Sequence, residues 1–426
     1  MKLVFKNNTM AEKLIFYCII LFPLGFIAGP LIADFLVSIV FLAFLYLHVV
    51  KKKFFFIRNL VYFAFGISFF FLIVHFFNYE TNNQFYKSFF YVRFLILPIA
   101  FICVFNNSSK IHILLKSIFW STIFVCVDII FQKIFGFDLF GFDAIDSYVR
   151  GMHFKSFDIE NITVVRYSGP FGDKLISGGY LSKFLLINLL YLYFFKNEKK
   201  IYYIFFSIIT FLCLLFAGER TSLFYSICLY FVIILFWKKK IIKKIYFFLI
   251  FIIILLVALK NENFYKRFII STSKELNILE MSNTTFSEKF KSIRQISHFN
   301  SGLEIAKKNI LFGNGFKSYR VLCDKSKFQC STHPHNFIIE IIVENGMIGL
   351  ILLAVYFLIL VRKVSISSNN DYIKKILYFW ILFTFLPLYP TGSIFNNHYA
   401  SQMWFCFGVI LVLIKSKDYL IFDLKK

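Results

Sequence analysis

The chain contains a series of apolar runs, each about long enough to cross a lipid bilayer. A transmembrane helix needs roughly 20 mostly apolar residues. Hydrophobic residues make up 59% of the 426 residues and charged residues only 16%, whereas soluble chains are about 45–50% apolar and about 25% charged. A protein core cannot bury that much apolar surface. The runs therefore exclude an ordinary soluble enzyme, a disordered chain and a fibrous protein, and they indicate that lipid solvates most of the surface.

Twelve segments of the sequence have the length and composition of a membrane span. We therefore predict an all-α fold, a polytopic integral membrane protein with about 12 transmembrane helices. The predicted spans are residues 12–29, 31–50, 57–77, 89–105, 111–135, 176–195, 201–217, 221–237, 243–259, 337–362, 372–391 and 399–415.

The distribution of basic residues predicts how these spans are oriented. In a soluble protein, a formal net charge of +24 would suggest nucleic-acid binding. Here Lys and Arg concentrate in alternate short connections, such as Lys51–Lys53 and Lys238–Lys240, which is the positive-inside pattern of cytoplasmic loops. We therefore expect both termini in the cytoplasm, contacts with membrane lipids and no nucleic-acid partner.

Two connections are much longer than the rest and fall on the outer side of the membrane. The first covers about 136–175 within a nine-helix segment, 1–259. The second, 260–336, separates that segment from the last three helices and cytoplasmic tail, 337–426. A polar connection of this length needs some structure of its own, here partly helical, and is usually functional. The chain shows no internal repeat, which disfavours a transporter built from repeated bundles.

Among the charged residues of the predicted spans four matter, Asp34, Arg93, Asp128 and Lys183, since charge there is expensive and indicates function or pairing. Arg93 and Asp128 lie on consecutive helices at similar depth, so an ion pair that fixes the two helices is one interpretation. Lys183 has no obvious partner, and it could face a water-filled cavity or contact an anionic lipid phosphate.

The most informative stretch of the sequence begins in the second long connection and leads into the tenth span. It reads Cys330-Ser-Thr-His-Pro-His-Asn-Phe and continues to Gly346-Met-Ile-Gly349, preceded by Gly313-Asn-Gly315. Ser331 or Thr332 can cap a helix, and Pro334 fits a first turn. We predict an amphipathic helix from Asn336 that ends at Gly346 and places His335 at its start. Gly346 and Gly349 allow close backbone approach, Gly313 and Gly315 predict a turn, and Glu340 and Glu344 keep one face polar.

This arrangement resembles the O-antigen ligase and O-antigen polymerase superfamily of bacterial surface-polysaccharide assembly. The family pattern is a His-Asn pair, nine residues and Gly-x-x-Gly, which His335-Asn336, Gly346 and Gly349 match. Gly313-x-Gly315 and the stretch Arg166–Gly172 match as well. The resemblance implies a metal-independent, inverting glycosyltransferase without a cofactor, at the periplasmic face of the bacterial inner membrane. Such an enzyme moves a glycan from undecaprenyl diphosphate to an acceptor sugar, such as the lipid A core.

Roles for individual residues also follow from the resemblance. The essential histidine of the family maps onto His335. Arginines bind the diphosphate, and by position these are Arg166 and Arg220, with Arg267 and Arg294 as further candidates. Lys183, His333, Asn336 and Tyr319 are the remaining candidate substrate contacts, although His333 could simply orient the loop. Relatives often carry Arg and Trp just ahead of the helix before Gly-x-Gly, whereas this chain has the stretch 298–304 there, which contains neither residue. The family pattern therefore does not assign a diphosphate-binding arginine in this region.

These residue types suit the implied chemistry. An acceptor hydroxyl must lose a proton as it attacks the anomeric carbon, and histidine titrates near neutral pH, so it can act as general base. The leaving diphosphate gains negative charge, which arginine can bind through bidentate contacts. We find no Asp-x-Asp pair to hold a metal ion, and we expect none to be needed. Interfacial arginines can also serve as headgroup anchors.

Cys323 and Cys330 lie close together in the second long connection. In an oxidising compartment a disulfide between them would steady the entry to the motif helix. The alternative is two free thiols.

Four functions remain compatible with the sequence. A ligase and a polymerase share fold and motif and differ in acceptor, and the well-formed His-Pro-His-Asn favours a ligase. A lipid-linked-sugar flippase would need no histidine at an interfacial helix start. A polyprenyl-phosphate-sugar glycosyltransferase would place acidic residues in a substantial first outer loop, whereas that loop is only Ala28–Pro30 here.

Overall fold

The protein is mainly helical, as described by a computed structural model. Backbone contacts divide the chain into two compact units, one formed by Met1–Leu114 with Lys291–Lys426 and the other by Leu115–Phe290. The structure describes residues 9–78, 85–149, 153–154, 157–158, 162–195, 200–236, 252–275, 294–323, 331–365, 371–385 and 391–415.

The first unit is a bundle of apolar helices. Thr9 caps the first of them in a capping box with Glu12, and Gly29 (φ +119°) separates the first two. The C-terminal helix packs against the helices that begin at Pro30 and Val92, and its side chains are almost all buried. The helices are Met10–Ala28, Pro30–Leu45, Arg58–Phe77, Phe85–Phe89, Val92–Val104, Arg294–Lys307, Tyr319–Cys323, Phe337–Ser365, Asp371–Phe385 and Asn397–Lys415, with the first turns of Ser108–Phe135.

The second unit combines helices with a β-ribbon. Its longer helices are Ser108–Phe135, Ser177–Phe195, Lys200–Ala217 and Arg220–Phe236, and the last three pack on one another. Shorter helical segments follow at Glu262–Tyr265, Lys266–Ile270 and Ser271–Glu275.

The β-ribbon lies in the first long connection, where the sequence did not predict strands. Ile145–Val149 pairs antiparallel with Ile162–Arg166, in a register that places Ile145 opposite Arg166. A smaller pair joins His153–Phe154 to Phe157–Asp158. The ribbon ends at Arg166 and thereby fixes the start of the stretch Arg166–Gly172.

Seven helices in the described part of the chain are long and apolar enough to cross a membrane. Three shorter apolar helices cover 204–217, 220–234 and 375–384. A multi-pass, mostly α-helical membrane protein is therefore confirmed, whereas twelve spans and their orientation stay a prediction.

The predicted ion pair between Arg93 and Asp128 is wrong. Arg93 binds Asp34 instead, with 2.6 Å between its Nη2 and the carboxylate Oδ1, and Asn397 donates to the other oxygen of Asp34 at 3.3 Å. Asp128 accepts the amide of Leu139 at 2.8 Å. Similar depth along two spans therefore did not predict the ion pair correctly, because the packing of the helices determines which side chains come into contact.

Candidate functional site

The two glycine motifs form one backbone junction in the first unit. The turn before the short helix Tyr319–Cys323 runs alongside the interrupted part of the helix Phe337–Ser365, here called the motif helix. Four backbone hydrogen bonds join the two segments, Asn314 N to Val343 O (2.8 Å), Gly315 N to Glu344 O (2.9 Å), Met347 N to Ile310 O (2.9 Å) and Ile348 N to Leu311 O (3.2 Å). We call these paired segments the glycine junction.

Glycine is required on both sides of the glycine junction. Gly346 has φ +67° and is non-helical inside the motif helix, and a Cβ there would overlap the backbone of Leu311. Gly313 has φ +79°, and a Cβ on it would stand 2.5 Å from the amide nitrogen of Asn345. L-residues rarely adopt such φ values. The predicted close approach is confirmed, whereas the predicted helix end at Gly346 is a kink, since the helix continues to Ser365.

Asn336 caps the motif helix. Its Oδ1 accepts the amides of Ile338 at 3.0 Å and Ile339 at 3.1 Å, and its side chain is buried. The predicted caps, Ser331 and Thr332, are wrong. This helix starts five residues later than a Ser331 cap and four later than a Thr332 cap would require, because the intervening backbone turns at His335.

His335 adopts a left-handed backbone conformation, with φ +53°. This region is uncommon for residues other than glycine and costs about 1–3 kcal/mol unless the surroundings hold it. Thr391 holds it here from two directions. The Thr391 amide donates to the His335 carbonyl at 2.7 Å, and the Thr391 hydroxyl accepts the amide of Phe337 at 3.0 Å.

Glu340, one turn into the motif helix, anchors the segment that carries Thr391. Ser393 Oγ donates to Glu340 Oε1 at 2.5 Å, and the amide of Ile394 donates to Glu340 Oε2 at 2.9 Å. We call residues 391–394 the clamp loop. Because Glu340 is buried, its carboxylate is committed to this loop and does not keep a helix face polar as we had predicted.

Glu344 is buried as well and serves the glycine junction. Its Oε2 accepts the amide of Lys317 at 2.6 Å, and Lys317 has φ +58°. Burial lowers the pKa of the Lys317 ammonium, and the charge of Glu344 partly offsets this. The two glutamates thus tie two separate loops to one helix.

Three imidazoles lie together at the start of the motif helix. The ring of His335 is 4.2 Å from that of His333 and 5.1 Å from that of His298, measured between centroids. His298 is buried on the helix Arg294–Lys307 and was not among the predicted site residues. Burial lowers the pKa of His333, and His298 adds to this effect.

Ser331 contacts the imidazole of His335. Ser331 Oγ donates to the carbonyl of His333 at 2.8 Å, and it lies 3.1 Å from His335 Nε2. The contact holds the ring of His335 against the loop that precedes the motif helix.

Other predicted residues of the first unit have structural surroundings. Tyr319 is fully buried, with its hydroxyl 2.7 Å from Ser301 Oγ, which favours packing over substrate contact. Cys323 is disulfide-bonded, whereas its expected partner Cys330 lies outside the described residues. Arg294 begins a helix of this unit, and its side chain is not among those described.

Three of the four predicted arginines come together in the second unit. They surround the turn 217–220 between the helices Lys200–Ala217 and Arg220–Phe236. Arg166 Nε donates to the Ala217 carbonyl at 3.1 Å, and Arg267 Nε donates to the Gly218 carbonyl at 2.8 Å. Arg220 begins the second helix and donates to Thr272 Oγ1 at 3.2 Å. We call Arg166, Arg220 and Arg267 the arginine cluster.

Backbone elements of the unit bring these arginines together. Asn263 pairs with the ribbon residue Val165 through both amide atoms, accepting its N–H at 2.9 Å and donating to its carbonyl at 2.8 Å. This contact joins the strand that ends at Arg166 to the helical segment that carries Arg267. Gly218 has φ +64°, and a Cβ there would stand 3.1 Å from Arg166 Nε.

Glu219 lies between the arginines and caps a helix. Its two carboxylate oxygens accept the amides of Gly178 at 2.8 Å and Gly179 at 3.0 Å, at the start of the helix that also carries half-buried Lys183. Burial raises the pKa of Glu219, while Arg166 opposes that shift.

Arg166 is the member of the arginine cluster best placed to bind a further anion. Arg166 is buried, and its terminal nitrogens make no hydrogen bond within the described part of the chain. Burial lowers its pKa, with Glu219 opposing, yet arginine stays protonated. The cluster is therefore suited to an anion with several oxygens.

Sequence reasoning missed Glu219, His298 and Thr391. Glu219 follows Gly218 at an apparent break between two predicted spans. An acidic residue at such a position is typical of an ordinary exposed loop, so its sequence context does not indicate a buried cap. His298 and Thr391 lie about 40 and 55 residues from His335 along the chain, so only folding relates them. The described residues contain no group of three metal-ligating side chains that could hold a metal ion.

Comparison with known proteins supports the resemblance seen in the sequence. Residues 205–354 match a protein family described as O-antigen ligase, which supports the predicted resemblance to this superfamily. No curated protein and no solved structure matches the chain. The match covers roughly a third of the 426 residues and contains the glycine junction, His335, Arg220 and Arg267, whereas Arg166 and Lys183 lie before it.

Proposed function

We propose that this chain, whose residues 205–354 carry an O-antigen ligase domain, is an inverting ligase that works without a metal ion. It transfers a glycan from undecaprenyl diphosphate to an acceptor sugar, such as the lipid A core, at the periplasmic face of the inner membrane. The domain supports a glycosyltransferase of the ligase or polymerase type. The observation that carries the proposal is that the matched residues contain both the clamped histidine and two members of the arginine cluster.

The histidine supplies the base. As the acceptor oxygen forms its bond to the anomeric carbon, its proton passes to the imidazole of His335. Ser331 Oγ, at 3.1 Å from Nε2, stabilises the imidazolium that results, because the protonated ring has a donor on both nitrogens. The clamp loop holds the backbone that carries the His335 ring. A ring held in place favours proton transfer, because the base and the acceptor hydroxyl must meet in a defined geometry.

The arginines bind the leaving group. The bond from the anomeric carbon to the diphosphate oxygen breaks with its electron pair, so the lipid diphosphate gains negative charge. Arg166, Arg220 and Arg267 offset this charge through directed N–H groups. A group that binds the charge developing in the transition state more tightly than it binds the ground-state substrate lowers the barrier of the chemical step.

Deletion of the gene tests this function. A ligase mutant should accumulate full-length glycan on the polyprenyl carrier and lose it from the acceptor, and a plasmid copy should restore transfer. Accumulation of single repeat units would instead assign a polymerase. An unchanged pool of lipid-linked glycan would contradict both functions.

A further inference from the structure

We propose that residues 136–144, directly after the helix Ser108–Phe135, form a re-entrant loop whose tip lies within the hydrocarbon of the bilayer. The sequence places this segment in an outer aqueous connection. The inference is independent of the proposed function, since it rests on contacts of this loop with a membrane-spanning helix.

The loop folds back along the helix that precedes it. The amide of Leu139 donates to Asp128 Oδ1 at 2.8 Å, and the ring of Phe140 is 6.4 Å from that of Phe124. Asp128 and Phe124 are seven and eleven residues before Phe135, the end of the helix. At 1.5 Å per residue, the loop tip therefore reaches about 10–16 Å back along the helix.

The length of the helix indicates that this depth is inside the membrane. Its last exposed charged residue before the apolar part is Lys116. The 19 residues 117–135 span about 28 Å, close to the roughly 30 Å of a hydrocarbon core. Lys133, two residues before the end of the helix, is exposed, and its Nζ is 3.0 Å from the hydroxyl of Tyr167; a lysine so close to the end of a span can reach the interface with its ammonium group.

The surface of the loop tip is apolar. Phe137, Leu139, Phe140 and Phe142 are between 44% and 62% exposed. Asp138 at the tip is buried, whereas Asp143, which pairs with Phe137 at the base of the loop, is exposed. The exposed residues Trp120, Val127 and Ile134 follow one another at intervals of seven along the helix, which is the spacing of a single helix face.

The backbone of the loop is suited to a medium without water. An unsatisfied amide in lipid costs several kcal/mol, so irregular chain is tolerated there only where its polar groups are paired. Asp138 accepts the amides of Phe140 and Phe142 at 2.9 and 2.8 Å, and Gln132 donates to the Phe142 carbonyl at 3.1 Å. Backbone carbonyls of 132–142 accept the amides of Gly136, Asp138, Gly141 and Ala144.

Asp128 acquires a defined role in this arrangement. A carboxylate inside a span indicates a function or a partner, and here the partner is the tip of the loop. Gly136 and Gly141, with φ +87° and +88°, permit the two sharp turns that return the chain.

Lipid photolabelling of the unmodified chain tests the proposal. The full chain is reconstituted with phospholipids that carry a photoreactive group in the middle of an acyl chain, and labelled peptides are identified by mass spectrometry. We expect label within residues 136–144 and none at the exposed residues Asp173 and Lys174, which serve as the aqueous control. The absence of label in both segments would contradict a loop that lies in the bilayer. So would label that excess undecaprenyl diphosphate abolishes, because the loop would then bind that lipid specifically.

A nitroxide label gives a second, independent measurement. Phe140→Cys and the control Asp173→Cys are made in a Cys228→Ser background, because Cys228 is the one free cysteine of the described part that is not buried. We expect collisions with O₂ to exceed those with a water-soluble nickel chelate at 140, and the reverse at 173. Equal preference for the nickel chelate at both positions would contradict a re-entrant loop.

Discussion

The amide of Thr391 and the carbonyl of His335 are joined by a 2.7 Å hydrogen bond. The same threonine accepts the amide of Phe337 through its hydroxyl, so it holds the backbone on both sides of Asn336. The left-handed conformation of His335 is thus maintained by a segment about 55 residues away, which Glu340 anchors in turn.

Thr391→Ala should reduce glycan transfer about tenfold. The variant leaves the Phe337 amide without its acceptor, and an unmade buried hydrogen bond costs about 1–3 kcal/mol, part of which loosens His335. Steady-state kinetics should show the loss mainly in kcat. Thr391→Ser keeps the hydroxyl and should restore most of the rate. An alanine variant as active as the parent would show that the clamp loop does not position the histidine.

Gly346→Ala should destabilise the protein by roughly 3 kcal/mol or more. The added Cβ overlaps the backbone of Leu311, and the positive φ costs a further amount for any L-residue. The matched control is Gly66→Ala, since Gly66 lies within a helix and has open space around it. Thermal unfolding in detergent should show a large fall in midpoint for Gly346→Ala alone. Equal midpoints would contradict the glycine junction.

The glycine junction also shows how far sequence alone could lead. The motif spacing predicted close backbone approach at Gly346, but not that the approaching segment was Ile310–Gly315. A linear pattern contains no information on which distant segment fills the space that a glycine leaves. The helix cap shows the same limit, because Ser331, Thr332 and Asn336 can all act as caps and the left-handed turn at His335 decides between them.

The arginines were predicted more completely than the imidazole cluster. Residue type and position indicated Arg166, Arg220 and Arg267, and the fold brings all three to the turn 217–220. Glu219 and His298 were missed because each acts through tertiary contacts. The partner of Arg93 was wrong because the sequence gives depth along a span but not which helices pack together.

Arg166→Lys should lower kcat/KM for the lipid diphosphate donor about tenfold or more. Lysine keeps the charge but loses the planar donor fork that binds carbonyl and phosphate oxygens together. Arg320→Lys is the control, because Arg320 is exposed on the helix Tyr319–Cys323. Transfer assays with purified protein compare the two. Equal effects of both substitutions would argue against a role of the arginine cluster in donor binding.

Acidification should destabilise the protein through His333. Burial lowers its pKa below the ordinary value of 6.5, so the unfolded chain binds more protons than the folded one between these two values. Stability is then full above pH 6.5 and falls as the pH drops from 6.5 to the folded-state pKa. Unfolding midpoints between pH 7.5 and 5 should fall less steeply for His333→Gln than for the parent. Parallel curves would contradict this titration.

Transfer by purified His335→Ala protein tests the general-base role most directly. Wild type and variant are reconstituted at equal amounts with undecaprenyl-diphosphate-linked glycan and acceptor, and the transferred glycan is measured over time. We expect transfer to be abolished in the variant, with folding matched by its unfolding midpoint. Transfer at the wild-type rate by a folded His335→Ala protein would show that the imidazole is not the base.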